Sequence, residues 1–257
     1  MFFKVKAYLT FLLQFINLIE VKSVFISDFI KFSFNKKTFN KNTLIINYKK
    51  ELSKNKNSIR ITDFGAGSRV FKSNERQISK IAKYAGISNK NASILANIVN
   101  YLQPKSILEI GTSLGVATSA LSIRNKDSEI TTLEGCPETA KIAQQQFDKF
   151  NLENINLIIG DFKNTLPKAT KNNNYDLIYF DGNHQKKATL DYFNLCLQTI
   201  NNNSVFIFDD IHWSKGMEEA WNKIKQHPKV TSTIDTFQWG IVFFKKELEK
   251  EHLTIRV

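Results

Sequence analysis

Two adjacent carboxylates, Asp209 and Asp210, close the apolar run in "SVFIFDDIHWS". Neighbouring acids repel one another, and the end of a strand buried on both faces is an expensive place to keep both charged. Such a pair calls for a counter-charge, a retained proton, or work as helix caps. A second run, "YDLIYFDGNH", ends on Asp181 and is followed three residues later by His184. An imidazole with a pKa near ~6.5 can accept a hydroxyl proton at neutral pH. His212, just after the acid pair, is the competing base. The structural alternative is that Asp181-Gly182 makes a turn while Asn183 and Asp210 cap the helices next in the chain. Capping explains one acid per strand and leaves the doublet unexplained. Trp213 and Trp239 are candidates for an acceptor-pocket wall or for core packing.

A second group of residues sits at the ends of three earlier runs. "ILEIGTSLG" has Glu109 at its strand end, with Gly111 and Gly115 bracketing a loop that enters the helical stretch "VATSALSI". Glycine lets a backbone approach a ligand closely. The spacing E-x-G-x-x-x-G does not meet the G-x-G-x-x-G dinucleotide fingerprint. "ITTLEG" ends on Glu134, a carboxylate placed to accept both hydroxyl hydrogens of an adenosine ribose. The third run ends in "GDF", where Asp161 is placed to meet an adenine amino group and Phe162 to pack on the ring. The loop "DFGAGS", Asp63 to Ser68, lacks a third glycine and has no strand or ribose-binding acid about 20 residues downstream. It reads as a structural turn, or at most as a substrate-side loop.

To hold these residues together the chain must present successive strand ends on one rim. The runs "SILEIG", "EITTLEG", "INLIIGD", "YDLIYFDG" and "SVFIFDD" alternate with helical segments, which argues for a parallel sheet covered on both sides. Ligands of such sheets bind beyond the carboxyl ends of the strands. "TSTIDTF" and "GIVFFKK" are separated only by Gln238 and Trp239, too few residues for a crossover, so they form an antiparallel hairpin. Ahead of the sheet, Ile78, Ile81, Ala82 and Ala85 mark one helix and Ile94, Leu95, Ile98 and Val99 another, divided by "GISNKNA".

Glu109, Gly111, Gly115, Glu134 and Asp161, in that order at strand ends and followed by the hairpin, resemble the class I S-adenosylmethionine-dependent methyltransferases. The resemblance covers roughly Ser106 to Lys246. It implies an α/β fold with a doubly wound, mostly parallel, seven-stranded Rossmann-like sheet. It also implies S-adenosylmethionine as cofactor, bound by Glu109, Gly111, Thr112, Gly115, Glu134, Gly135, Asp161, Phe162 and Asp181. In that family's strand order the fourth and fifth strands are neighbours, so Asp181, Asp209 and Asp210 converge, and a hard divalent cation relieves their repulsion. This part is similar to catechol-type O-methyltransferases, with an Asp-Asp pair in place of Asp-Asn, and closer to sugar-directed metal-dependent enzymes with "DD" motifs. The resemblance further implies Mg2+ at Asp181, Asp209 and Asp210, Asp181 as a catalytic residue, and methylation of a hydroxyl on a small phenolic or sugar-like molecule; His184 stands where catechol-type enzymes carry a lysine base and takes the catalytic base role here. A nucleic-acid amine methyltransferase of the same fold is the rival enzyme, but "DGNH" stands where those enzymes carry a D/N-P-P-aromatic motif. Intact Glu109, Gly111 and Glu134 count against a non-catalytic binding module.

Composition sets the frame. A chain of 257 residues with 42% hydrophobic content supports one large domain with a core and a small appendage. Two distant cysteines, Cys136 and Cys196, give neither a disulfide framework nor a zinc signature, and point to a reducing, cytoplasmic setting. The net charge of +12 is uneven, residues 1–60 alone carrying +9. Because 31 of the 36 basic residues are lysines in a chain rich in Asn, Ile and Phe, the charge by itself is not taken as a nucleic-acid footprint. The N-terminal stretch lacks a cleavage site, and its uncharged part, Ala7 to Ile19, is too short to span a bilayer. It reads as amphipathic helix packed on the main domain through Phe2, Phe3, Leu9, Leu12, Phe15 and Ile16, with peripheral membrane contact as the second reading. The Lys/Asn-rich stretch from Asn35 to Ser58 reads as a mobile, solvated linker. The resulting division is 1–57, a basic helical extension and linker; 58–103, a helical lead-in; and 104–257, the cofactor-binding domain.

Overall fold

The computed structural model describes residues 2–15, 21–39, 41–65, 67 and 71–257, without the side chains of residues 2 and 38. Its chain begins with three helices, α1 (Phe2–Gln14), α2 (Val24–Ser33) and α3 (Thr43–Lys54). A short antiparallel pair comes next, β1 (Ser58–Arg60) with β2 (Glu75–Gln77), and then α4 (Ile78–Tyr84) and α5 (Asn89–Leu102). Strand and helix next alternate through β3 (Ser106–Ile110), α6 (Val116–Ser122), β4 (Glu129–Glu134), α7 (Pro137–Lys149), β5 (Ile155–Ile159) and α8 (Phe162–Thr170). The alternation continues with β6 (Leu177–Phe180), α9 (Lys186–Cys196), β7 (Val205–Asp209) and α10 (Lys215–Gln226). Three strands close the chain: β8 (Ser232–Asp235), β9 (Trp239–Phe243) and β10 (Glu251–Thr254). The fold class is α/β with mostly parallel strands and flanking helices, as the texture of the sequence implied. The chain packs as two compact units, residues 29–169, and residues 1–28 with 170–257.

In the unit of residues 29–169, β4 lies between β3 and β5 and runs parallel to both, with Glu109 opposite Thr132 and Glu134 opposite Ile159. Ser88 caps α5 by accepting the Asn91 N–H, and Ile94, Leu95, Ile98 and Val99 are buried as their spacing predicts. The expected linker proves otherwise: it contains α3, capped by Asn42, whose side chain accepts the Ile45 N–H at 3.3 Å. Ile45, Tyr48 and Leu52 fall on one face and are buried. Tyr48 and Leu52 pack with Ile78, Ile81, Leu114 and Phe147 in one core cluster. Three apolar residues at helical spacing decide the segment, while its lysines and asparagines are carried on the other face.

In the unit of residues 1–28 and 170–257, β7 pairs parallel with β6 and antiparallel with β9, and β9 pairs antiparallel with β8. The expected hairpin therefore forms, turning at Thr236, Phe237 and Gln238, with Phe237 at φ 69. A further strand not anticipated from the sequence, β10, lies parallel beside β8. Neither Asp210 nor Asn183 caps the helix after it: Ser214 caps α10 through the Met217 N–H, and α9 begins after Gln185 without a side-chain cap. α1 packs through Ala7 and Phe11, and the rings of Tyr8 and Phe11 meet Phe237 edge-on at 5.0 and 5.4 Å. The face expected from Leu9 and Phe15 is not the buried one, since those residues are 57% and 44% exposed. A helix apolar on nearly every side gives spacing no single face to choose. Ile16, the Phe2 side chain and the end of the Ala7–Ile19 stretch lie outside the described residues. Among the described residues no helix is long and apolar enough to cross a membrane.

Candidate functional site

In residues 29–169 the loop after β3 is fastened to the end of β4. The N–H groups of Gly111 and Thr112 both donate to the Leu133 carbonyl, and the Ser113 N–H donates to Glu134 Oε2 at 2.7 Å. The Gly160 N–H donates to the Glu134 carbonyl at 2.8 Å, drawing the β5 end with Asp161 to the same rim. Gly111 and Gly115 have φ of 108 and 77. At Gly115 a Cβ would stand 2.5 Å from the Tyr48 hydroxyl and from the Phe147 ring, so only glycine fits between α3 and α7. Tyr48 in turn donates its hydroxyl to the Leu114 carbonyl at 2.9 Å, which fixes the loop from the side of α3.

Glu109 is fully buried. Its Oε2 accepts from the hydroxyls of Thr118 (2.5 Å) and Thr132 (2.6 Å), whereas Oε1 is buried with no hydrogen-bond partner. Burial pushes this carboxyl up to about 7, against the pull of the two hydroxyls. A buried, unpaired carboxylate oxygen behind a glycine loop suits a ligand with a cationic end. Glu134 accepts from the Cys136 N–H on Oε1 at 2.9 Å; burial raises it, and the N–H groups of Cys136, Ser113 and Gly135 act the other way. Each of its oxygens retains a lone pair for a hydroxyl hydrogen.

The remaining residues of this group have partners of their own. The Thr112 hydroxyl is buried against that of Thr132 at 2.6 Å, which leaves its backbone for the loop. Asp161 Oδ1 accepts the Lys163 N–H at 2.9 Å at the start of α8, with Phe162 half-buried behind it. Two contributors were missed in the sequence. Ser113 is one, and Phe64 is the other: a Cβ on Gly135 would lie 2.8 Å from its ring. The Thr62 N–H reaches Cys136 Sγ at 3.3 Å, so the described part of the "DFGAGS" loop lies along the β4 end rather than standing apart. Ala66 and Ser68 of that loop lie outside the described residues. An aromatic inside a glycine-rich loop was the available signal.

In the other unit, Asp181, His184 and Asp209 come together after β6 and β7, one ligand atom from each lying within 4.8 Å of the others. His184 Nε2 is 3.6 Å from Asp181 Oδ1. Asp209 Oδ1 accepts from Trp239 Nε1 at 2.6 Å and from Gln238 Nε2 at 2.8 Å. Burial and then the charge of Asp210 push the Asp209 carboxyl up, while His184, Gln238 and Asp181 act against that rise. Asp210 is not one of the three clustered groups. It has φ 54, and its Oδ1 accepts from the same Gln238 amide at 3.0 Å. The left-handed backbone at Asp210 sets its carboxylate off from the Asp181, His184 and Asp209 group, and it meets Asp209 through the shared Gln238 amide. Gln238, read in the sequence only as a spacer of the hairpin, bridges both acids.

His212 is held elsewhere. Its Nε2 is 2.9 Å from Asp235 Oδ2, which also accepts from Trp221 Nε1 at 3.0 Å, and its ring stacks on Phe237. Trp239 is buried with its N–H on Asp209, whereas Trp213 is half-buried with Lys4 Nζ 3.7 Å above its ring.

Residues 108–211 match the family model described as a methyltransferase domain. The chain is 30% identical over 125 residues to O-methyltransferase hkm8 of Aspergillus hancockii, covering 46% of this chain and 49% of that protein. It is 28% identical over 151 residues to uncharacterized protein R132 of Acanthamoeba polyphaga mimivirus, covering 51% and 65%. It thus spans less than two thirds of the length of either curated relative. Among solved structures, the SAH-bound methyltransferase PaMTH1 of Podospora anserina aligns with a TM-score of 0.64 at 17% identity, over 88% of this chain and 98% of that one, a likeness of fold. The ends of β3 to β7 all fall inside residues 108–211, the span that is similar to a methyltransferase domain.

Proposed function

We propose that this protein transfers the methyl group of S-adenosylmethionine to a hydroxyl oxygen of a small molecule. The observation that carries the reading is the Asp181, His184 and Asp209 cluster, a base beside two acids at the strand ends of a methyltransferase domain. Similarity to an O-methyltransferase and to a SAH-bound fold relative supports it. In this reading Glu109 answers the cationic end of the donor, and the backbones of Gly111, Thr112, Gly115 and Gly135 approach it. Glu134 accepts from the ribose, Asp161 and Phe162 meet the adenine, and Asp181 serves the methionine end.

The acceptor hydroxyl loses its proton to the His184 imidazole as the methyl passes from sulfur to oxygen, leaving S-adenosylhomocysteine. Two carboxylates and an imidazole within mutual reach fit a divalent cation such as Mg2+, with Asp181 and Asp209 as its oxygen ligands. Bound there, the ion supplies positive charge that favours ionisation of the hydroxyl. Asp210, tied to Asp209 through Gln238, adds negative charge to the same neighbourhood.

Residues 104–257 carry this chemistry and 58–103 lead into it. Residues 1–57 are an extension in which α1 is an acceptor-side lid, because Tyr8 and Phe11 rest on Phe237, next to the bridging Gln238. The setting we assign is the cytoplasm, where buried, free Cys136 and Cys196 stay reduced. The test is incubation of purified protein with S-adenosylmethionine and pooled hydroxylated metabolites, reading methyl gain by mass. Turnover of a hydroxyl acceptor that is lost in excess chelator, with calorimetric binding of S-adenosylhomocysteine intact, is the expected result. Methylation of amines alone would overturn the acceptor class, and full activity in chelator would remove the metal.

A further inference from the structure

Within residues 29–169, α3, α4 and the start of α5 enclose a groove of about 1000 Å³. Six lysines line it, Lys49, Lys50, Lys56, Lys80, Lys83 and Lys90, and no carboxylate does. In a chain with 24 acids to 36 bases, a lining with six of one sign and none of the other is not a sample of the average surface. Lys49 donates to the Ile87 carbonyl at 2.5 Å and serves the framework. Among the described residues no ion pair engages the other five. Lys83 Nζ lies 5.0 Å from the centre of the Tyr84 ring, and that ring, 52% exposed in the groove wall, is met edge-on by Phe71 at 6.3 Å.

We propose that this groove binds single-stranded nucleic acid through its phosphates, independently of sequence, with Tyr84 as a platform on which a base stacks. A cleft lined by one sign of charge between low-dielectric walls concentrates the field and draws in a polyanion, whose counterions are released as the lysines replace them. Lysine is a compact point charge that neutralises phosphate without the planar fork used to read base edges. An exposed aromatic beside such lysines is the element that distinguishes a strand with bases from a bare polyanion. The lysines line a concavity, which an extended strand can enter and a flat bilayer surface cannot. The bound strand is a tether and not the methyl acceptor, so the inference does not rest on the proposed reaction.

The test is fluorescence anisotropy of the full chain with a labelled single-stranded oligouridylate over a salt series. Engagement of three to five phosphates predicts a slope of log affinity against log salt of about −2 to −3.5. Reversing two charges together, Lys80→Glu and Lys83→Glu, should weaken binding at least about tenfold and flatten the slope by about 1.4. Tyr84→Ala should cost about tenfold toward the oligonucleotide and nothing toward inorganic polyphosphate. Unchanged thermal melting and unchanged calorimetric affinity for S-adenosylhomocysteine certify the fold of each variant. If the glutamates disturb folding, Lys80→Gln with Lys83→Gln repeats the measurement at similar bulk. The proposal is overturned if the charge-altered proteins bind like the parent. It fails equally if polyphosphate and oligonucleotide respond alike to Tyr84→Ala, or if the chain sediments with phosphatidylserine vesicles and ignores the oligonucleotide.

Discussion

Glu109 sits in an environment that opposes its charge, a carboxyl with no exposure, two hydroxyl donors on one oxygen and none on the other. Burial holds its pKa up to about 7, while in the unfolded chain it titrates near 4.5. Between those values the folded protein keeps a proton that the unfolded chain has released. Its contribution to stability is therefore full below about pH 4.5 and is lost as pH rises through about 7, by on the order of 3 kcal/mol at most. Glu109→Gln keeps the shape and removes the titration. Thermal melts should show the variant gaining on the parent as pH rises from about 5 to about 8; parallel curves would mean Glu109 is not the group that titrates. Glu134 makes a different prediction, because it stays an acceptor. Glu134→Ala should weaken binding of S-adenosylhomocysteine by roughly 2 to 4 kcal/mol in calorimetry, as two hydrogen bonds to a charged group disappear. Affinity equal to the parent's would move the ribose elsewhere.

Among the elements, α1 and α3 differ in what they hold. α3 delivers Tyr48 and Leu52 to the cluster around Phe147, and the Tyr48 hydroxyl both fixes the Leu114 carbonyl and fills the space a Gly115 side chain would need. α1 buries only Ala7 and Phe11 and leaves Val5, Leu9 and Leu13 exposed. Two truncations should separate them. A chain beginning at residue 58 loses α3 and opens a cavity beside Phe147. With core truncations costing about 2 to 5 kcal/mol per large side chain, it should melt far lower or fail to fold. A chain beginning at residue 21 should fold and bind donor with nearly the parent affinity. Its turnover should fall, since a lid that orients the acceptor acts on the transition state. Equal turnover with and without α1 would end the lid assignment.

Over the whole molecule the proposed labour is divided between the two compact units. Donor residues Glu109 to Phe162 belong to residues 29–169, and Asp181, His184 and Asp209 belong to the unit containing residues 170–257. Substitutions should therefore sort by what they impair. Asp209→Ala should lower turnover by about two orders of magnitude or more while leaving S-adenosylhomocysteine affinity within about threefold, and Asp181→Ala, which also touches the methionine end of the donor, should lower both. Glu134→Ala should do the reverse of Asp209→Ala. Measuring calorimetric affinity and single-turnover rate on the same variants checks this, and an Asp209→Ala protein that loses donor affinity as severely as turnover contradicts the division. The net charge of +12 has a place in the same scheme, because six of its lysines collect in one groove lined by no acid.

The sequence by itself determined the alternation of strand and helix, the hairpin, and the strand-end positions of Glu109, Glu134, Asp161, Asp181 and Asp209. These come from local periodicity and from loops too short to allow another connection. It did not determine α3, where three buried apolar residues were outnumbered by Lys and Asn, nor β10, whose pairing with β8 is set by a partner some twenty residues away in the chain. The choice of His184 rather than Asp210 as the third member of the acid cluster was also decided in three dimensions. A left-handed backbone at Asp210, a hairpin delivering Gln238 to both acids, and the capture of His212 by Asp235 are outcomes of packing. Spacing along a chain fixes which side chains share a strand end; the direction each one faces is settled only when its neighbours arrive.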